Sequence, residues 1–263
     1  MLGAIAGDII GSRFEFDRDF KSKDFDLFHD DCKFTDDTAM TCAVADWLVN
    51  EGDLAKYFLK WYVRCGRHRS YGGGFERWLN SYEQEPYNSF GNGAAMRVSP
   101  VSWFAQSEAE LLDLAKQSAE ITHNHPEGIK GAKATAHAIW LGRQGQGPDA
   151  IRGTIEAEYG YDLSESVESI REWYRFDATC QGTVPQALIC ALEATDFEDA
   201  IRNAISIGGD SDTVGAITGS VAEALFGGVP DGIAVRARSY LKQEMIELLD
   251  ALILSDEVPL TGI

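Results

Sequence analysis

Residues 208–220, with the sequence GGDSDTVGAITGS, join two close carboxylates to a run of small residues. Asp210 and Asp212 stand two residues apart, and Thr213 follows them directly. Small residues at this density are typical of a helix that packs closely against a neighbour. Close carboxylates raise each other's pKa unless a cation neutralises them. The stretch therefore predicts a tightly packed helix with a cation near its first turn.

A second stretch of the same kind lies far earlier in the chain. Asp36 and Asp37, between Thr35 and Thr38, precede another apolar helical pattern. One alternative is structural, because carboxylates at a helix start can cap free amides and gain from the helix dipole. Oxygen-rich sets with hydroxyl groups also suit hard divalent ions such as magnesium or manganese. The two stretches together predict a two-metal centre.

Residues 210–214 also fit a competing motif, the Asp-x-Asp-x-Thr/Val nucleophile loop of haloacid-dehalogenase-type phosphatases. That loop should follow a buried β-strand near the start of an alternating α/β chain. Here the motif lies late in a chain whose patterns are helical. The phosphatase interpretation is therefore rejected.

Composition and charge exclude several classes of protein. Hydrophobic residues make up 44% of the 263 residues and charged residues 25%, as in ordinary globular proteins. The 42 acidic and 23 basic residues give a net charge of −19, which argues against a nucleic-acid backbone or an anionic membrane as the main partner. A small anionic ligand stays compatible, because a local metal or a ring of amides overrides the global field.

The cysteines and the first residues of the sequence bear on the cellular compartment of the protein. The five cysteines form an odd set without a Cys-x-x-Cys pair, which favours free thiols in a reducing cytoplasm over disulfides. The first eight residues lack a basic leader, and no apolar run is long enough to span a bilayer. We therefore predict a cytoplasmic protein.

Helical periodicity dominates the chain, and no stretch alternates apolar and polar residues as strands do. The first predicted helix carries Gly3, Gly7 and Gly11 at four-residue spacing, which suggests the close approach of another backbone or a ligand. Further helices are predicted after Thr38 and over residues 53–66, 108–121, 127–141, 149–159, 164–175, 182–194, 196–206, 212–226 and 233–254. The prediction is a compact all-α bundle, with residues 1–263 in one domain.

Two glycine-rich loops and a histidine pair complete the candidate features. The loop at residues 71–75 is expected to be flexible or to approach a ligand, and residues 88–93 form a second glycine-rich loop. His123 and His125 stand before Pro126 and could cap the next helix. A zinc site at this pair is disfavoured, because no cysteine lies nearby in the sequence.

Six segments, in the expected order, resemble the ADP-ribosylglycohydrolases, the family that includes the dinitrogenase-reductase-activating glycohydrolase. They are residues 3–12 (GAIAGDIIGS) with Glu15, residues 34–38 (FTDDT), residues 71–74 (YGGG), residues 91–97 (GNGAAMR), Thr122-His123, and residues 209–213 (GDSDT). Each motif alone is a weak signal, but six in the expected order make a strong one, and the resemblance extends over most of the chain's length. The resemblance implies an all-α, orthogonal helical bundle with two Mg²⁺ (or Mn²⁺) ions in a cleft that binds ADP-ribose.

The resemblance also implies residue roles. The metal ligands would be Thr35, Asp36 and Asp37 on one side and Asp210, Asp212 and Thr213 on the other. The substrate-binding residues would be Gly73, Ser89, Phe90, Gly91, Asn92, Gly93 and His123, with Phe90 placed to stack on adenine. Glu15 is the expected general acid or base, and Asp36 and Asp212 are further catalytic candidates. None of the aspartates is assigned as a nucleophile.

The implied function is a metal-dependent hydrolase that releases ADP-ribose from a protein side chain, with the arginine linkage favoured over the serine linkage. Small ADP-ribosyl compounds remain possible substrates, and a monomer is expected. Two alternatives stay open. One is a non-catalytic, ADP-ribose-binding or crystallin-like relative. The other is a helical nucleotide pyrophosphatase, although the Glu-x-x-Glu pairs usual in such enzymes are missing beside the acidic motifs.

Overall fold

The computed structural model describes residues 1–17, 20–66 and 70–257. Within these residues the regular structure is helical, and the β-type pairing is a single bridge between Gly91 and Thr179. The predicted all-α fold is confirmed. The assignment of residues 1–263 to one domain includes residues 258–263, which lie outside the described part, and it stays a prediction.

The described part of the chain contains fifteen helices. They are α1 (Leu2–Gly11), α2 (Asp36–Asn50), α3 (Leu54–Cys65), α4 (Gly73–Leu79), α5 (Gly93–Met96), α6 (Ser99–Phe104), α7 (Glu108–Glu120), α8 (Pro126–Arg143), α9 (Pro148–Tyr159), α10 (Val167–Trp173), α11 (Cys180–Leu192), α12 (Phe197–Ser206), α13 (Ser211–Leu225), α14 (Asp231–Arg238) and α15 (Gln243–Glu257). The longer helices match the predicted ones with small shifts at their ends. The short α5 and α6 are not predicted, because helical periodicity needs more turns than they have.

One predicted helix is wrong. Residues 233–254 form two helices, because the chain turns between the end of α14 and the start of α15. The Tyr240 hydroxyl in this turn donates to the carbonyl of His29, and the Tyr240 ring stacks on Phe28 at 5.9 Å. These contacts come from a loop distant in sequence, so the local periodicity did not indicate the break.

The closest helix pairing in the fold joins α1 to α13. A Cβ atom added to Gly7 would lie 1.9 Å from the carbonyl oxygen of Gly215, and one added to Gly3 would lie 2.1 Å from that of Gly219. Gly11 meets the backbone of Ser211 in the same way. The two helices therefore touch backbone to backbone, and the four-residue glycine spacing is explained by packing.

Helix α13 lies at the centre of the fold. Its residues are buried from Ser211 to Ala222, and α8, α11 and α12 pack on it in addition to α1. Because its whole circumference is covered, its N-terminal end is held rigidly. The five cysteines are free and buried, as predicted from their odd number. Within the described ranges, every helix is too short or too polar to cross a bilayer.

The substitution Gly7→Ala tests the backbone contact. The new methyl group would overlap the Gly215 carbonyl, so α1 and α13 would have to separate. We expect the free energy of unfolding to fall by about 3 kcal/mol, at the upper end for an overpacked core. Urea denaturation followed by circular dichroism measures this change.

Gly153→Ala is the matched control. Gly153 lies in α9, and no other part of the chain comes within 4 Å of an added Cβ. This variant should be as stable as the original or more stable by up to about 1 kcal/mol, because alanine favours helices. Equal stability of both variants would contradict the close packing of α1 and α13.

Candidate active site

Five buried aspartates converge where α1, α2 and α13 meet, and we call them the acidic centre. They are Asp8, Asp36, Asp37, Asp210 and Asp212, each with an exposed side-chain fraction of 9% or less. Asp8 comes from α1, the next two from the first turn of α2, and the last two from the start of α13. The structure therefore brings together the two acidic stretches that are distant in sequence.

Asp8 is the member of this set that the sequence did not identify. Its Oδ2 accepts the backbone amides of Thr35 and Thr38 at 3.0 and 3.1 Å, together with the Thr38 hydroxyl. Its Oδ1 accepts the Thr35 hydroxyl at 2.7 Å. Asp8 thereby fixes the start of α2 against α1. A usable signal existed, because Asp8 is the sole charged residue in an otherwise apolar helix.

Helix capping does not explain the other aspartates. Thr35 is the N-cap of α2, and its hydroxyl accepts the amide of Asp37 at 3.2 Å. Asp210 is the N-cap of α13, but its side chain makes no capping hydrogen bond. Its Oδ2 instead accepts the side-chain amide of Asn92 at 2.7 Å. The capping alternative therefore fails for the first turn of α2 and for Asp210.

The turn before Asp210 needs glycine. Gly208 and Gly209 have φ values of +70° and +81°, in the left-handed region that disfavours other residues. A Cβ on Gly209 would also lie 2.6 Å from the ring of Tyr174. The two glycines thus let the chain turn sharply and aim Asp210 toward the acidic centre.

Burial raises the pKa of every carboxyl group in the acidic centre, and repulsion by Asp212 raises the pKa of the other four further. Burial is the largest cause in each case, and the charge of Asp212 is the next for its four partners. The pKa of Asp8 and of Asp36 rises to about 7. Burial and the charges of Asp212 and Asp36 raise the pKa of Glu15 to about 8.

The residues present fit a hard divalent cation. In the described part of the chain no lysine or arginine forms an ion pair with the acidic centre. Two buried oxygens, Asp37 Oδ2 and Glu15 Oε2, have no hydrogen-bond partner there. Unpartnered carboxylate oxygens beside the Thr213 hydroxyl are the donor set that magnesium or manganese prefers.

A second cluster with ligand chemistry lies elsewhere. Glu108, His137 and Glu158 offer ligand atoms within 4.8 Å of one another, and they belong to α7, α8 and α9. None of these helices lines the cleft described next, and the sequence did not predict the cluster. His137 Nδ1 already lies 3.0 Å from the hydroxyl of Tyr159. This cluster is therefore distinct from the predicted metal ligands.

A cleft of ≈ 330 Å³ separates the acidic centre from residues 89–93, which we call the glycine loop. The predicted residues that line it are Glu15, Asp36, Asp37, Ser89, Gly91, Asn92, Gly93, His123, Asp210, Asp212 and Thr213. The loop is held firmly, because Asn92 donates its amide to Ala178 O and Cys180 donates its amide to Phe90 O, both at 2.8 Å. The glycine loop therefore has a fixed position beside the cleft.

Three predicted site residues are not part of the cleft lining. The Thr35 hydroxyl is engaged by Asp8 and the Asp37 amide. Gly73 does not line the cleft, although its neighbours Gly72 and Gly74 do. Phe90 is 43% exposed, and its ring lies 5.2 Å from that of His125, the N-cap of α8.

Other residues line the cleft without having been predicted to do so. They are Ser70, Gly72, Gly74, Phe75, Tyr87, Met96, Arg97, Phe176 and Ala178. Arg97 and Met96 stood in a recognised motif but received no role. Phe176 and Ala178 lie in the loop before α11, whose position depends on its pairing with the glycine loop, so the sequence carried no signal for them.

A sequence model of the ADP-ribosylglycohydrolase family matches residues 1–259. The chain belongs to this family. ADP-ribosylhydrolase ARH3 of Danio rerio is 25% identical over 302 residues, covering 86% of this chain and 81% of that protein. ADP-ribosylarginine hydrolase Tri1 of Pseudomonas putida (strain GB-1) is 26% identical over 264 residues, covering 86% and 69%.

Two further similarities agree with the family assignment. The ADP-ribosyl-[dinitrogen reductase] glycohydrolase of Rhodospirillum rubrum is 27% identical over 248 residues, covering 84% of this chain and 79% of that protein. A solved chain of an ADP-ribosylglycohydrolase-related protein complex superposes with a TM-score of 0.67 at 26% identity, covering 95% of both chains. The chain is thus a hydrolase of ADP-ribosyl glycosidic bonds, in a metal-dependent family.

The raised pKa values predict how stability depends on pH. Without divalent ions, the free energy of unfolding should fall as the pH rises from about 4 to about 8. The folded protein holds protons on these carboxyl groups that the unfolded chain has already released, so each increase in pH favours unfolding. Chemical denaturation in EDTA at several pH values measures this slope.

Added Mg²⁺ should flatten the slope, because the cation replaces the protons and binds the folded state. Asp212→Asn should also reduce the slope in EDTA, whereas Asp30→Asn, at an exposed position, should not. A free energy of unfolding that rises with pH over this range in EDTA would contradict the electrostatic description of the acidic centre.

Proposed function

We propose that this chain is a Mg²⁺- or Mn²⁺-dependent hydrolase that releases ADP-ribose from arginine side chains of ADP-ribosylated proteins. The observation that carries the proposal is the cleft itself. A buried set of unpaired carboxylates faces a rigid glycine loop and a histidine across one cavity. This arrangement can hold cations on one side and an anionic sugar nucleotide on the other.

The proposed metal ligands are Asp36, Asp37, Asp210, Asp212 and Thr213. Thr35 is not proposed as a direct ligand, because its hydroxyl already donates to Asp8 and accepts the amide of Asp37. In the described residues no three acidic-centre carboxylates come within 4.8 Å of one another. Opposite ligands of one Mg²⁺ ion are only about 4.2 Å apart. Two ions would neutralise the carboxylates, bind ribose hydroxyls and lower the pKa of a water molecule.

The glycine loop is the proposed binding site for the diphosphate. Gly91 and Gly93 let a ligand approach the backbone closely, and backbone amides bind phosphate without adding a lysine. Gly73 is then a neighbour of the site and not a direct contact. Phe90 keeps its proposed contact with adenine only if the base extends beyond the lined cleft, because the Phe90 ring is exposed.

Glu15 is the proposed general acid or base. It follows the C-terminal end of α1, and its buried Oε2 has no partner in the described residues. In hydrolysis, a water oxygen bonds to the anomeric carbon as the bond from that carbon to the side-chain nitrogen breaks. Glu15 accepts the proton of the attacking water and passes it to the departing nitrogen. Asp36 and Asp212 would act on this step as ligands of the ions, which orient the sugar and the water beside Glu15.

Charge supports the arginine linkage. Arginine leaves as a cationic guanidinium group, and a protein with a net charge of −19 attracts basic targets. The relative from Pseudomonas putida is named an ADP-ribosylarginine hydrolase. The same charge disfavours nucleic-acid and membrane partners for this chain.

Product analysis tests the proposal. Proteins carrying arginine-linked or serine-linked ADP-ribose are incubated with the enzyme and Mg²⁺, and the product is identified by mass. Intact ADP-ribose from the arginine substrate is the expected result. Release of ADP-ribose from the serine substrate alone would overturn the proposed preference for the arginine linkage. Release of AMP, with ribose phosphate left on the protein, would indicate a pyrophosphatase. Binding without turnover would indicate a non-catalytic relative.

Glu15→Gln tests the acid–base role. The amide keeps the size of the side chain but neither accepts nor gives a proton, so kcat should fall by roughly 10²- to 10⁴-fold. Affinity for ADP-ribose, measured by calorimetry, should change little. Glu83→Gln, at an exposed position, is the matched control and should retain full kcat. Full activity of Glu15→Gln would remove Glu15 from the reaction.

A further inference from the structure

We propose that Arg97 and Thr122 are positioning residues that hold His123 as a neutral imidazole with its Nε2–H directed at the bound ligand. The proposal rests on the proposed function, because it assumes an ADP-ribosyl ligand in the cleft. It adds two buried residues whose side chains act on the ligand only through the histidine.

A short chain of hydrogen bonds links the three residues. Arg97 Nη2 donates to the Thr122 hydroxyl at 2.8 Å and to the carbonyl of Ser118 at 2.9 Å. The Thr122 Oγ1 lies 2.7 Å from His123 Nδ1. Arg97, Thr122 and His123 have exposed fractions of 1%, 0% and 5%, so water does not compete for these contacts.

Which atom donates in each hydrogen bond follows from the protons that each group carries. A guanidinium only donates, so the Thr122 oxygen accepts from Arg97. If His123 Nδ1 also donated to that oxygen, the hydroxyl proton of Thr122 would be buried without an acceptor among the described residues, at a free-energy cost of about 1–3 kcal/mol. The satisfied arrangement has Thr122 donating to Nδ1. The ring proton of neutral His123 is then on Nε2.

Nε2 lies against the glycine loop. Cβ atoms added to Gly91 and Gly93 would lie 3.3 and 3.4 Å from it. Within the described residues Nε2 has no hydrogen-bond partner, although His123 is almost fully buried and lines the cleft. A donor held at this place gains an acceptor when a ligand oxygen enters beside the loop.

Arg97 also keeps the ring uncharged. Its guanidinium lies 4.5 Å from the ring centre of Phe58, and it forms no ion pair with a carboxylate in the described chain. Its positive charge therefore acts on the histidine, and together with burial it keeps the pKa of His123 well below its usual value. A neutral N–H donor binds a ligand oxygen without forming a competing ion pair with the acidic centre across the cleft.

Nuclear magnetic resonance of the histidine rings tests the tautomer without a ligand. In ¹⁵N-labelled protein at neutral pH, His123 should show a proton on Nε2 and none on Nδ1, with its signals assigned by their loss in His123→Gln. Thr122→Val, which replaces the hydroxyl with a methyl group, should give a mixture of tautomers. Thr122→Ser should restore the original spectrum. A proton on Nδ1 in the original protein, or an unchanged spectrum in Thr122→Val, would overturn the proposal.

Calorimetry with ADP-ribose tests the effect on the ligand. Thr122→Val should bind about tenfold more weakly, as expected when a hydrogen bond to a charged group is misdirected, while Thr122→Ser binds as the original does. Thr154→Val, which removes an exposed hydroxyl in α9, is the matched control. If Thr122→Val does not fold, Arg97→Lys replaces it, since lysine keeps the charge but loses the planar donors.

The outcomes separate this proposal from the proposed function. Equal binding of ADP-ribose by Thr122→Val and the original protein overturns the positioning role and leaves the hydrolase intact. Failure of the original protein to bind ADP-ribose overturns the proposed function. The nuclear magnetic resonance spectrum of the His123 ring still tests the proposed tautomer in that case, because it needs no ligand.

Discussion

The backbone contact between α1 and α13 is the constraint on which the rest of the structure depends. Glycines on both helices bring the two backbones together, and this fixes Asp8 beside Asp212. Asp8 in turn holds the amides of Thr35 and Thr38, which sets the start of α2. The positions of four further carboxylates follow from these few contacts. The glycine contacts between α1 and α13, which carry no reactive groups, thus determine the geometry of the acidic centre.

The two walls of the cleft differ in how they carry charge. On one side, buried carboxylates raise each other's pKa and lack basic partners in the described chain, which is why we propose that side as the cation site. On the other side, the glycine loop and His123 line the cleft, while the charge of Arg97 lies behind the histidine. The ligand side therefore offers dipoles, which bind an anion without pairing with the carboxylates opposite.

The sequence was sufficient wherever a local pattern determined the outcome. The starts of α2 and α13 were predictable because acids and threonines mark them, and the glycine spacing of α1 correctly indicated close packing. Contacts between distant segments were not predictable. Asp8 becomes part of the site only through α13, and Phe90 turns away from the cleft because its backbone pairs with Cys180. Tyr240 breaks a helix that local periodicity continues.

The chain order of the α1–α13 pair has a consequence for folding. Helix α1 is synthesised long before α13, yet the surface that receives it forms only when residues 211–225 are available. Closing so long a loop is entropically slow, and domains that depend on such contacts fold late and as a unit. A nascent or truncated chain that ends before α13 therefore has neither its central helix nor a complete acidic centre. Cation binding by this chain thus reports that synthesis has passed α13 and that the core has closed.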